Sequence, residues 1–95
     1  MSLIKLSERF GEIYDEMKRN GCRTLIITDD NGDLQLAQSN VSDRFKTREA
    51  FVSYMSDGHD AAAYGYLNWN VLSLGVMYQH DDIYNVTIAR PPRRF

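Results

Sequence analysis

Thr24-Leu25-Ile26-Ile27-Thr28-Asp29-Asp30-Asn31-Gly32-Asp33-Leu34-Gln35-Leu36 decides the fold of this chain. Two apolar, β-branched-rich runs flank an Asn-Gly pair. Both residues of that pair tolerate positive φ, so a two-residue type I′ turn is predicted between two antiparallel strands. In that register Ile27 faces Leu36, and Leu25 lies on the same side. Thr28 and Gln35 point the other way. The result is a hairpin with one side to bury.

Upstream, Leu3, Leu6, Phe10, Ile13, Tyr14 and Met17 recur at spacings of three and four. That stripe predicts an amphipathic helix over 3–19, with Asn20-Gly21 as its stop. Downstream, Ser39 to Lys46 reads as a polar connection. Thr47 is a suitable N-cap for a second helix over 48–57, whose apolar side carries Phe51, Tyr54 and Met55. Residues 59–70 fit either a short helix or an extended segment from Tyr64. Leu67, Trp69 and Val71 share one parity, whereas Leu72, Leu74, Val76 and Tyr78 share the other. A strand cannot change face without a bulge or a break, so a break is placed near Asn68–Asn70. Val71 to Gln79 then forms a strand with Leu72, Leu74, Val76 and Tyr78 inward. His80-Asp81-Asp82 turns the chain, and Ile83 to Ala89 returns with Tyr84, Val86 and Ile88 on one face.

The order is helix, hairpin, helix, hairpin, and hairpin-linked strands imply antiparallel pairing. The expected fold class is α+β: a four-stranded, or slightly larger, antiparallel sheet with both helices packed on one face. The opposite face would carry Thr28, Gln35, Ser73, Gly75, Asn85 and Thr87, partly exposed. Residues 1–90 form a single domain in this reading, and 91–95 a short basic tail.

The 95 residues are 43% hydrophobic and 25% charged, the balance of one small globular domain. A net charge of −2 argues against a generic, charge-driven nucleic-acid binder. Cys22 is the only cysteine, so no intramolecular disulfide is possible, and a cytoplasmic, reducing location fits. The start, Met1-Ser2-Leu3-Ile4-Lys5, lacks the apolar region of a signal peptide. The long uncharged stretch from Ala61 to Gln79 contains too many polar groups to cross a membrane.

Candidate sites are few. His59 and His80 lie in acidic turns, without the spacing of a metal box, and such residues are ordinary in turns. Asp29, Asp30 and Asp33 cluster at the first hairpin tip without the ligand alternation of a calcium loop. Cys22 beside Arg23 reads as a small buried residue at a helix–strand junction rather than a nucleophile. No nucleophile elbow, phosphate loop or dinucleotide motif is present, so no catalytic residue, metal or cofactor is assigned. Two groups remain. Tyr64, Tyr66 and Trp69 are aromatic, and aromatics with arginine are the usual anchors of protein interfaces. Arg90, Arg93 and Arg94 accompany Pro91 and Pro92 in the basic tail.

The expected function is that of a small non-enzymatic protein-binding or regulatory module, such as an inhibitor or a mobile-element accessory protein. Another protein is the expected partner, and a homodimer is a natural companion. The alternative is a nucleic-acid contact module that uses the basic tail and the aromatics, since stacking on single strands needs few charges.

Overall fold

The computed structural model of the chain describes residues 4–57, 65–77 and 82–91. Their fold is α+β. Four strands, β1 (Thr24–Asp29), β2 (Leu34–Gln38), β3 (Asn70–Met77) and β4 (Ile83–Ala89), form one sheet in the order β2-β1-β4-β3. Among the described residues three helices accompany it: α1 (Phe10–Asn20), α2 (Val41–Arg44) and α3 (Arg48–Ser56).

The sheet is mixed, not wholly antiparallel as expected. β1 pairs with β2, and β3 with β4, antiparallel in each case, but the two pairs join through β1 and β4, which run parallel. A tight turn dictates orientation only within its own hairpin. The helical connection between β2 and β3 sets no such limit. β1 and β4 bring Leu25, Ile27, Tyr84, Val86 and Ile88, all buried, so the sheet centre under the helices falls to them.

The first hairpin keeps Ile27 opposite Leu36, with a bulge at Gln35. Its turn is not type I′. Gly32 has φ 88°, yet Asn31 keeps negative φ; Gly32 N–H donates to Asp29 O at 3.0 Å, and Asp29 N–H donates to Asp33 O at 3.1 Å. The loop therefore has three residues, Asp30-Asn31-Gly32, with the glycine in the last, left-handed place. The cause is Asp29, whose carboxylate accepts the N–H groups of Asn31 and Asp33 and holds the earlier residues in a normal turn. This use of the carboxylate accounts for Asp29 at the tip.

The helix at the start is shorter than its apolar stripe. Ile4 and Lys5 run extended against β3: Val71 N–H donates to Ile4 O and Leu6 N–H to Trp69 O, both at 2.8 Å. A 3-10 turn over Leu6–Glu8 follows, then α1. The exposed backbone of an edge strand satisfies N–H groups that a first helical turn would leave without partners. The stop is as expected. Gly21 takes the left-handed conformation at φ 71°, and Cys22 N–H donates back to Met17 O at 2.8 Å. Phe10, Ile13, Tyr14 and Met17 are all buried.

The polar connection hides α2. Asn40 adopts a left-handed φ of 53°, and Val41 and Phe45, four apart, both enter the core. Thr47 caps α3 as predicted, its Oγ1 accepting from Ala50 N–H at 3.1 Å. Phe51 and Met55 face the core.

The inward set of β3 differs from the expected alternation. Two bulges, at Leu72 and Gly75, put Val71 and Leu74 in register with the buried Ile88 and Val86. Leu72 is therefore 48% exposed, and Val76 stands opposite Asn85. Each bulge inserts one residue, so the inward spacing becomes three instead of two. Tyr78 lies outside the described residues. In β4, Tyr84, Val86 and Ile88 are buried as expected. Asn85, expected to be partly exposed, is also buried, at 3%. Its Nδ2 donates to Ile26 O across the parallel ladder at 3.1 Å. Thr28, Ser73, Gly75 and Thr87 are half-buried.

Candidate functional site

The pairing of Asn70 with Ala89 brings Trp69 and Arg90, the next residues out, side by side at one end of the sheet. The Arg90 guanidinium lies 5.3 Å from the centre of the Trp69 ring, a cation–π contact. Tyr66 meets Trp69 edge to face, with centroids 4.4 Å apart and planes at 84°. Its placement is local: Trp69 N–H donates to Tyr66 O at 3.0 Å. The N-terminal segment ties the turn down from the other side, through Leu6 N–H to Trp69 O and Ser7 N–H to Leu67 O.

Tyr66 and Trp69 pack against the core on one side and are half-buried; Arg90 and Pro91 are exposed. The group is an aromatic shelf with a cation at its rim. Of the site residues expected from sequence, the structure brings Tyr66, Trp69 and Arg90 together. Tyr64, Arg93 and Arg94 lie outside the described residues, as do His59 and His80. Among the described residues no three acidic, histidine or cysteine side chains are placed to hold a metal ion. No helix among them is long and apolar enough to cross a membrane. Cys22 is buried at the helix–strand junction, as its position suggested.

Two further groups carried no local signal. Arg44 lies over the rings of Phe45 and Tyr54, at 5.0 and 5.3 Å, and its Nη1 donates to Gln38 Oε1 at 2.7 Å. This explains how Gln38 can be buried on the helix side of an edge strand. Beneath the Gly75 bulge, Tyr84 donates its hydroxyl to Glu16 Oε1. Burial first, and then the Glu16 carboxylate, pushes the Tyr84 hydroxyl well above the ordinary tyrosine range. Tyr84 therefore stays a donor further into the alkaline range than an ordinary tyrosine does.

The folded state holds the Tyr84 proton more tightly than the unfolded chain does, so stability is fully present below pH about 10 and falls as pH rises beyond it. In Tyr84→Phe, part of that alkaline slope should disappear. At neutral pH the variant should lose about 0.5–1.5 kcal/mol, the ordinary worth of one hydrogen bond whose acceptor can still reach water. Denaturant melts at pH 8 and near pH 11 measure both effects. An unchanged alkaline slope would mean that the tyrosine ionises normally in the fold.

No protein-family model, no curated protein and no solved structure matches the chain.

Proposed function

We propose that this chain is a protein-binding module whose contact surface centres on Tyr66, Trp69 and Arg90. One observation carries the reading. A tyrosine, a tryptophan and an arginine, drawn from two separate segments, converge on one half-exposed shelf. Those three residue types dominate the energetic centres of protein interfaces. Packing against the core already holds the rings, so a partner would lose little side-chain entropy by ordering them.

Affinity capture with the wild-type chain, Tyr66→Ser and Arg90→Ala in parallel tests the reading, followed by titration of any partner that the wild type retains. A true hot spot should cost at least about 2 kcal/mol, or about thirtyfold in affinity. Circular dichroism establishes that each variant is folded. Folded variants that bind the partner as tightly as the wild type would remove the shelf from consideration.

The stack of Arg90 on Trp69 also favours a second reading, contact with single-stranded nucleic acid. Titration with an oligonucleotide at low and high salt separates the two. Phosphate binding weakens steeply with salt, whereas an aromatic protein contact does not.

A further inference from the structure

Asparagine precedes glycine twice in the chain, at Asn20-Gly21 and at Asn31-Gly32. The pair has a chemistry of its own, because no side chain screens the glycine nitrogen. That nitrogen can attack Cγ of the asparagine before it. The Cγ–N bond forms, the Cγ–Nδ2 bond breaks, and Nδ2 leaves as ammonia with the proton of the glycine nitrogen. Water then opens the resulting cyclic imide at either carbonyl. Opening at Cγ restores the main chain and leaves aspartate. Opening at the main-chain carbonyl leaves isoaspartate, in which the chain runs on through Cβ and Cγ.

The fold holds the two pairs differently. Asn20 is the last residue of α1, and its Nδ2 donates to Glu16 O at 2.8 Å, so the carboxamide is turned back along the helix. Gly21 leads directly into the buried Cys22, whose N–H donates to O of the buried Met17. Freeing the Gly21 nitrogen therefore pulls on two core residues. At the hairpin tip Asn31 is held through its main-chain N–H, which donates to the Asp29 carboxylate. Gly32 N–H donates to Asp29 O at 3.0 Å, so this turn must open before the nitrogen can attack. Asp30, Asn31, Gly32 and Asp33 are all exposed, and a side chain at Gly32 would meet nothing within 4 Å. Opening the tip breaks hydrogen bonds that water replaces and uncovers no core residue. Local openings of that kind are among the least costly in a fold.

We propose that Asn31 is a modification site: in the folded chain it converts to aspartate and isoaspartate through local opening of the tip, with water as co-reactant, while Asn20 is protected. The product carries a new negative charge beside Asp29, Asp30 and Asp33. Isoaspartate also adds a main-chain carbon to a three-residue loop. The Asp29 carboxylate accepts the N–H groups of both Asn31 and Asp33, so it holds the tip shut and sets the pace of the reaction.

Incubation of the native chain at neutral pH, sampled by tryptic digestion and mass spectrometry, tests the proposal. Cleavage after Arg19, Arg23 and Arg44 puts Asn20 and Asn31 in separate peptides. The change from amide to acid raises the peptide mass, and chromatography separates aspartate from isoaspartate. Asn31 should convert at least about tenfold faster than Asn20, because opening its turn disturbs no core residue. In strong denaturant the two sites should convert at comparable rates, since only the shared dipeptide remains. Asp29→Ala should speed conversion at Asn31 at least about threefold and leave Asn20 unchanged. A rise at both sites would mark an unfolded variant, and the wild-type ratio then decides. Asn31→Gln, whose longer side chain disfavours ring closure, should stay intact at that position. The proposal is overturned by Asn20 keeping pace with Asn31 in the native chain. It is equally overturned by an Asn31 that converts only in denaturant, or by a folded Asp29→Ala with the wild-type rate.

Discussion

Phe51→Ala is expected to cost about 4–5 kcal/mol, the upper part of the range for a buried phenylalanine. Phe51 is fully buried at the contact between α3 and α1. Its ring meets Phe10 edge to face at 6.2 Å, Phe45 edge to face at 5.4 Å and Tyr14 at 5.5 Å. Truncation removes three aromatic pairs along with the transfer energy, and the neighbours cannot collapse readily. Tyr14 is anchored by its hydroxyl, which donates to Phe45 O at 2.9 Å. Chains of this length are stable by only about 5–14 kcal/mol in total. The variant should therefore unfold at far lower denaturant with an unchanged slope. Ser53→Ala, on the exposed side of the same helix, should shift stability by less than about 0.5 kcal/mol. Equal shifts for the two would mean that α3 does not dock through Phe51.

Gly75→Val is expected to be the next most costly change, at about 2–5 kcal/mol from backbone strain and overpacking together. Gly75 holds φ 80° in the second bulge of β3, where a branched side chain is strained. A Cβ there would also lie 3.3 Å from the Tyr84 hydroxyl and 3.5 Å from Glu16 Oε1. The substitution attacks the bulge and the Tyr84–Glu16 hydrogen bond together. Gly32→Val gives the comparison. It has a similar φ of 88° but open space where the side chain would go, so it pays strain alone, about 1–3 kcal/mol. Melts of both variants should rank Gly75→Val as the worse. The reverse order would show that the bulge yields to the added side chain and that the turn does not.

The bulges show why the inward face of β3 was hard to read. Alternating apolar residues define a strand's two faces only while the period holds. Val71 and Leu72 are both apolar, so either could begin the inward row. The choice falls to β4, whose regular run of Tyr84, Val86 and Ile88 dictates what must lie opposite. Gly75 was the one visible signal, since a glycine within a strand often marks a bulge.

The shelf was half legible. Tyr66, Trp69 and Arg90 stood out by residue type, but 21 positions separate Trp69 from Arg90 along the chain. Their apposition depends on the register of Asn70 with Ala89, which belongs to the second hairpin and its bulges.

The sequence by itself determined what short-range physics controls. It set the glycine stop of α1, the threonine cap of α3, the pairing of Ile27 with Leu36, and the buried alternation of β4. Each rests on contacts within a few residues, or within one hairpin, and the chain can satisfy them without knowing its distant parts. The tertiary structure alone decided the parallel union of β1 with β4, the capture of Ile4–Leu6 by the edge of β3, the burial of Asn85, and the stack of Arg90 on Trp69. These link segments far apart in sequence. A central strand shows the same apolar alternation whether its neighbour runs parallel or antiparallel, so only assembly of the whole core makes the choice.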